Sequence, residues 1–166
     1  GRRVKAVATG KYHSCALLEN GSVKCWGGND FYGGGALGLG NTLNRGDDAD
    51  EMGDYLSAIT VGRSRRVLAV DLGGGTTCAL LDDYSLRCWG YNYEGQLGDG
   101  TFTDRFAPVA VSGALTFTAL VSGQHHMCGL TAANDAYCWG LNGYGQLGAN
   151  GTTASAVPLM APTSNE

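Results

Sequence analysis

The six cysteines of this 166-residue chain fall into three pairs, and the two members of each pair are ten residues apart. Thiols can close a disulfide, bind zinc or act as nucleophiles, and their spacing helps to separate these chemistries. No Cys-x-x-Cys occurs and the 3 histidines are scattered, which disfavours zinc. Six cysteines allow many connectivities, but identical local pairs favour local disulfides in an oxidising compartment. The predicted bridges are Cys15–Cys25, Cys78–Cys88 and Cys128–Cys138.

Each cysteine pair belongs to a longer phrase that occurs three times. The second cysteine begins the sequence Cys-Trp-Gly-x-Asn, and a Gly-x-Leu-Gly turn follows a few residues later. A phrase that recurs at a spacing of about fifty residues indicates one structural unit repeated along the chain. The copies begin at Cys25, Cys88 and Cys138, and their turns span 35–38, 95–98 and 145–148.

The residues between paired cysteines predict β-hairpins. Setting Cys15 opposite Cys25 requires a three-residue loop, which places Gly21 at the left-handed position of a bulged hairpin. The same counting puts Tyr84 and Asn134 at that position in the later repeats. No apolar period of 3.6 is sustained, and the 28 glycines fit many tight turns between short strands. We therefore predict an all-β fold.

The phrases Gly-x-x-His-Ser-Cys-Ala-Leu at 10–17, Cys-Trp-Gly-x-Asn at 25–29 and Gly-Gln-Leu-Gly-x-Gly at 95–100 resemble the repeat of the regulator of chromosome condensation family. The resemblance implies β-propeller blades, here three four-stranded antiparallel repeats. The paired cysteines make the chain similar to disulfide-bearing secreted members. Because about four to eight blades close a propeller, we expect a partial propeller, or one completed by other chains or segments.

The repeat spacing predicts four segments. Residues 1–40 form a first blade that lacks its outer strand, together with its turn, and residues 41–100 form an acidic insert and the second blade. Residues 101–151 form the third blade, and residues 152–166 form an extra strand and a tail that begin the next repeat. Unpaired sheet edges at both ends would favour pairing with another copy or with further blades.

One stretch lengthens the first repeat, and we call residues 44–57 the acidic insert. Its acidic sequence predicts a loop that projects from one face of the molecule. We expect this loop to be dispensable to the fold of the blade and to serve as an interaction surface. Asp48 and Asp50 match part of a calcium loop, but Ile59 occupies its last ligand position, so calcium is only a weak alternative. No other metal and no cofactor is predicted. The candidate interaction residues are Arg45, Asp47, Asp48, Asp50, Glu51 and Asp54.

Three further residue types have candidate roles. Asn20 and Asn150 each begin a glycosylation sequon within a turn, although Asn-Gly is also favourable turn chemistry. His13 is predicted to be a hydrogen-bonding strut, since Thr76 occupies the equivalent place in the second repeat. The three tryptophans are predicted to pack between blades, with sugar stacking as the alternative if one faces a groove.

These features predict a non-enzymatic module, because every cysteine is committed to a bridge and no nucleophile lies beside a His and an Asp. A net charge of −4 argues against nucleic acid, and the lack of a long apolar run argues against membrane insertion. We predict an extracellular or cell-surface structural subunit or interaction scaffold, with a surface filament as one form of the assembly. Its partners would be protein, through self-assembly or the remaining blades, or glycans. The alternatives are a carbohydrate- or protein-recognition propeller and guanine nucleotide exchange factor-like binding of a small GTPase.

Overall fold

The computed structural model describes residues 3–162, which form three antiparallel sheets. The first sheet contains β1 (Val4–Thr9), β2 (His13–Leu18) and β3 (Val23–Gly27). The second contains β4 (Val67–Leu72), β5 (Thr76–Leu81), β6 (Leu86–Gly90) and β7 (Arg105–Ala110), and the third contains β8 (Ala119–Ser122), β9 (His126–Leu130), β10 (Ala136–Gly140) and β11 (Ser155–Ala161). A 3-10 turn spans Phe31–Gly33.

Within each sheet the strands follow one another in chain order, and each pairs with its sequence neighbour. The first strands of the sheets contact one another, β1 with β4 and β4 with β8, so they lie innermost. Sheets that meet at their first strands and present their last strands outward are the blades of a β-propeller. The predicted all-β propeller architecture is confirmed.

The hairpins adopt the predicted register. In each sheet the two cysteines of a pair lie directly opposite one another on the second and third strands. The turn residues Gly21, Tyr84 and Asn134 have φ values of 79°, 63° and 67°, which is the left-handed region. Tyr84 keeps the same turn as Gly21 despite its side chain, and its N–H likewise donates to the third residue before it, Leu81. The predicted turn geometry is therefore present in all three repeats.

Two predicted segment boundaries are wrong. Strand β7 lies within the segment predicted to form the third blade, but it pairs with β6 and completes the second blade. Strand β11 lies within the segment predicted to begin another repeat, but it pairs with β10 of the third blade. The fourth strand follows the hairpin because the loop after the Cys-Trp-Gly-x-Asn phrase returns the chain to the hairpin's free edge. Residues 163–166 of the predicted tail lie outside the described part of the chain.

The first sheet has three strands, and the position without a strand is the fourth, after β3. Gly27 and Arg45 form an isolated antiparallel bridge, at the place where Gly90 pairs with Arg105 in the second blade. After Arg45 the chain leaves the sheet instead of continuing along β3. The acidic insert therefore occupies the sequence position of an outer strand.

Two apolar layers lie between the blades and form the core. The layer between the first and second blades includes Cys15, Cys25 and Trp89, together with Leu17, Val23, Leu37, Ile59, Val61, Val67, Leu72, Ala79 and Leu81. The layer between the second and third blades includes Cys78, Cys88 and Trp139, together with Leu80, Leu86, Leu97, Phe117 and Met127. Two of the three disulfides thus contribute to the packing between blades.

Candidate functional site

The interface between blades is organised by one repeated tryptophan contact. The indole N–H of Trp89 donates to the main-chain oxygen of Ala36, 2.9 Å away in the first blade's Gly-x-Leu-Gly turn. In the next interface the indole N–H of Trp139 donates to the oxygen of Gln96 at 3.0 Å. Both rings are fully buried. The predicted packing of these two tryptophans between blades is confirmed.

The last glycine of each turn permits this contact. A Cβ atom added to Gly38 would lie 2.6 Å from the indole nitrogen of Trp89, and one added to Gly98 would lie 2.8 Å from that of Trp139. Both glycines also have positive φ values, 69° and 66°. Only glycine combines this backbone conformation with so close an approach of a neighbouring ring. The turn and the tryptophan therefore act as complementary halves of one interface.

Trp26 occupies the equivalent place in the first blade but lacks such a partner within residues 3–162. Its half-buried ring lines a groove of about 840 Å³, which we call the Trp26 groove. One wall of the groove belongs to the first blade, and the equivalent residues of the second blade pack against the first blade. That wall consists of Val4, Ala16, Leu18, Lys24 and Trp26, and the other wall consists of Met52, Gly53, Asp54, Leu56, Ser57 and Ala58.

The acidic insert does not simply project from the surface as predicted. Leu56 is only 3% exposed, and the Lys24 ammonium donates to the main-chain oxygen of Gly53 at 2.7 Å. The insert therefore lies against the first blade and helps to cover its apolar face. An apolar sheet face exposed to water is unfavourable, so the insert packs against it. The charges in the sequence of the insert do not reveal this packing.

The charged residues of the acidic insert do not converge on a cation site. Glu51 accepts hydrogen bonds from the N–H of Gly46 at 2.8 Å and of Asp48 at 3.4 Å, and it forms an ion pair with Arg45 at 3.5 Å. Asp47, Asp48, Asp50 and Asp54 are exposed. Within residues 3–162 no group of three acidic, His or Cys side chains is arranged to hold a metal. The weak calcium alternative thus has no ligand set in the described structure.

Sequence reasoning missed the role of the asparagine that ends each Cys-Trp-Gly-x-Asn phrase. Asn92 accepts a hydrogen bond from the N–H of Leu97 and donates to the oxygens of Thr101 and Thr103. Asn29 and Asn142 make the corresponding bonds to their own turns and return loops. All three are buried. Their recurrence at one position was the signal that could have identified them as the residues that shape the turn.

His13 forms a hydrogen-bonded strut between two blades. Its Nε2 lies 2.7 Å from the hydroxyl of Thr77, and that hydroxyl donates to the oxygen of Ala36 at 2.8 Å. Because the single hydroxyl proton is used on Ala36, His13 must donate from Nε2. Burial lowers the pKa of His13 to about 4, so the imidazole is neutral at physiological pH.

The two sequons occupy exposed turn positions. Asn20 and Asn150 are both exposed, and the Asn20 side chain accepts hydrogen bonds from the N–H and hydroxyl of Ser22. Their glycosylation stays a prediction.

Among residues 3–162 no helix has the length and apolar character needed to cross a membrane.

Comparison with known proteins identifies the repeat. The repeat described as "Regulator of chromosome condensation (RCC1) repeat" matches residues 4–33, 67–96 and 117–146, which together make up more than half of the chain. A second description of the same repeat matches residues 86–130. These matches contain all three tryptophan phrases.

Similar proteins are much longer than this chain. It is 34% identical over 110 residues to the X-linked retinitis pigmentosa GTPase regulator of Canis lupus familiaris, covering 66% of this chain and 10% of that protein. It is 30% identical over 131 residues to the mitochondrial RCC1 domain-containing protein RUG3 of Arabidopsis thaliana, covering 78% of this chain and 28% of that protein. Yeast RCC1 (Prp20), solved bound to Kap60, superposes on 97% of this chain with a TM-score of 0.77 at 19% identity, using 37% of its own length.

Proposed function

Since the chain belongs to the regulator of chromosome condensation (RCC1) repeat family, we propose that it is a non-enzymatic scaffold for protein interaction that acts outside the cell. The observation that carries this proposal is the position of Trp26. Its ring faces a groove at the place where Trp89 and Trp139 each meet the turn of a neighbouring blade. The groove is therefore suited to receive another blade of the same repeat.

The occupant that best fits the Trp26 groove is the third blade of a second copy. That blade carries the turn 145–148, in which Gln146 has the place of Gln96 and Gly148 has the place of Gly98. Gly148 has a φ of 68°, the same conformation as the glycines that contact Trp89 and Trp139. The main-chain oxygen of Gln146 would accept the indole N–H of Trp26 from the next molecule. This head-to-tail contact generates a closed ring or an open filament, depending on its rotation.

Two features support an extracellular assembly. Three disulfides join residues across single hairpins and fit an oxidising compartment. The exposed sequons at Asn20 and Asn150 fit the same environment. Small-GTPase binding ranks second, because its support is the name of a relative of which this chain covers 10%.

Sedimentation of the 166-residue chain over a range of micromolar concentrations tests the assembly. We expect species larger than the 17.2 kDa monomer, which dissociate on dilution. Trp26→Ala should shift the distribution towards monomer, while Tyr55→Ala, on the exposed side of the acidic insert, should not. A monodisperse monomer at every concentration, or oligomers unaffected by Trp26→Ala, would contradict head-to-tail docking.

A further inference from the structure

A cluster of aromatic side chains from all three blades lies on one end of the molecule, apart from the Trp26 groove. We call it the aromatic platform. Its members come from the turns between first and second strands and from the loops after the third strands. They are Tyr12, Phe31, Tyr32, Tyr91, Tyr93 and His125, with Lys11 alongside.

The rings form a continuous series. Phe31 stacks on Tyr12 with centroids 4.3 Å apart, and Tyr12 lies 6.2 Å from Tyr32. Tyr32 lies 5.3 Å from Tyr91, which stacks on Tyr93 at 6.4 Å. The imidazole of His125 meets Tyr32 and Tyr91 edge-on, at 5.6 Å and 6.0 Å. The platform thus crosses both blade boundaries.

The first blade has a local lengthening that supplies two of these rings. Phe31 and Tyr32 lie in a stretch between Trp26 and Gly40 that is three residues longer than its counterpart in the second repeat. Tyr32 has a φ of 54°, a left-handed conformation that is unusual and costly for an aromatic residue. Its hydroxyl accepts a hydrogen bond from the Lys11 ammonium at 2.8 Å. Phe31 is exposed and Tyr32 is half-buried, so neither ring belongs to the core.

Polar groups border the aromatic faces. The Lys11 ammonium lies over the rings of Tyr12 and Tyr32 at 5.1 Å and 5.4 Å. Burial, and then the nearby carboxylates of Glu94 and Asp104, raise the pKa of Tyr91, so charges of both signs surround the rings. The buried Nδ1 of His125 has no hydrogen-bond partner among residues 3–162. The surface is therefore amphipathic and carries no strong net charge of one sign.

A polar cleft adjoins the platform beside the innermost strands. It has a volume of about 480 Å³ and shares Lys11 with the platform. Gln124, which is exposed, and Ser122 also line it, and the buried hydroxyl of Ser122 has no partner among residues 3–162. Flat rings beside a cleft with amide, hydroxyl and ammonium groups offer both stacking and hydrogen bonds.

We propose that the aromatic platform and the adjoining cleft bind a neutral oligosaccharide. A pyranose ring has an apolar C–H face that stacks on aromatic side chains and a rim of hydroxyls that needs donors and acceptors, and the platform supplies both. An acidic chain with mixed local charge is a poor surface for nucleic acid. A proline-rich peptide would use an apolar groove between aromatic ridges, whereas the cleft here is lined by glycines and polar side chains, with Leu72 its one large apolar residue.

Direct binding to immobilised neutral hexasaccharides of the glucan, mannan, xylan and chitin types tests this proposal. We expect saturable binding to at least one, weakened at least about tenfold by Tyr93→Ala and by Tyr12→Ala. Tyr144→Ala is the matched control, because Tyr144 is 94% exposed in the corresponding turn of the third blade and makes no ring contact with the platform. Circular dichroism of each variant shows that the fold is retained.

The outcomes separate this site from the Trp26 groove. Trp26→Ala should leave oligosaccharide binding unchanged, so failure of the assembly proposal does not affect the platform. No binding to any of the four hexasaccharides, binding unaffected by both platform variants, or binding lost equally in Tyr144→Ala would overturn the proposal. Preferential binding of a proline-rich peptide to the platform would overturn it as well.

Discussion

The indole nitrogen of Trp139 lies 3.0 Å from the main-chain oxygen of Gln96, and this hydrogen bond joins the third blade to the second. The same bond joins Trp89 to Ala36 one interface earlier. A propeller blade cannot bury both of its faces alone, so neighbouring blades must recognise one another in a fixed register. One donor and one turn carbonyl, repeated in each unit, define that register.

Replacing Trp139 by Phe should destabilise the chain by about 2–3 kcal/mol. The substitution removes ring volume from a fully buried site and leaves the Gln96 oxygen without its indole donor. Trp26→Phe, at a half-buried site without this bond, should change the free energy of unfolding by no more than about 0.5 kcal/mol. Urea denaturation below the assembly concentration measures both. Equal losses in the two variants would contradict the role assigned to the inter-blade bond.

Leu56 should contribute to stability although it lies in the acidic insert. Its side chain is 3% exposed against the first blade, so Leu56→Ala should cost about 2–4 kcal/mol through lost burial and a residual cavity. The adjacent Tyr55 is 73% exposed, and Tyr55→Ala should be nearly neutral. Thermal unfolding of the pair compares them directly. An unchanged melting temperature for Leu56→Ala would restore the original expectation of a dispensable loop.

The hairpins and disulfides could be predicted because they depend on local spacing. The ten-position separation of the paired cysteines specifies both the register and the left-handed turn residue, even where Tyr84 occupies that turn position. The blade to which the fourth strand belongs could not be predicted from local spacing, because the intervening loop determines that this strand pairs with the free edge of the third strand. Asn92 shapes that loop through buried hydrogen bonds, which a sequence does not display.

The candidate surfaces were less predictable for a related reason. The charges of the acidic insert suggested solvent exposure, but the burial of Leu56 depends on an apolar blade face that lies far from it in sequence. The aromatic platform likewise brings Tyr32 close to Tyr91 and His125, which belong to different repeats. Such tertiary juxtapositions follow from the arrangement of blades rather than from any local pattern.

Acid should weaken the fold through His13. Burial lowers its pKa to about 4 in the folded chain, below the ordinary value of 6.5. Between these values the unfolded chain binds a proton and the folded chain does not, so the free energy of unfolding falls as pH decreases from 6.5 to about 4. The loss from this residue should approach about 3 kcal/mol. His125 and His126 act in the same direction, since burial lowers their pKa values too.

His13→Gln provides the matched control for this pH dependence. Its amide can still donate to Thr77 but does not titrate, so its stability should fall less between pH 6.5 and 4 than that of the unsubstituted chain. Urea denaturation at a series of pH values measures the difference. Parallel pH profiles for the two proteins would show that His13 is not responsible.

The Cys128–Cys138 bridge should be reduced before the other two. Cys15, Cys25, Cys78 and Cys88 are fully buried between blades, whereas Cys128 is half-buried on the third blade's outer side. Thiol–disulfide exchange requires access to a sulfur atom, so exposure determines the order. Timed treatment with a small thiol, alkylation and peptide mass spectrometry report each bridge separately.

The proposed docking of a second copy covers the outer side of the third blade, so reduction of Cys128–Cys138 should slow as protein concentration rises. Concentration-independent reduction, or earlier opening of a buried bridge, would contradict the expected order and the proposed contact.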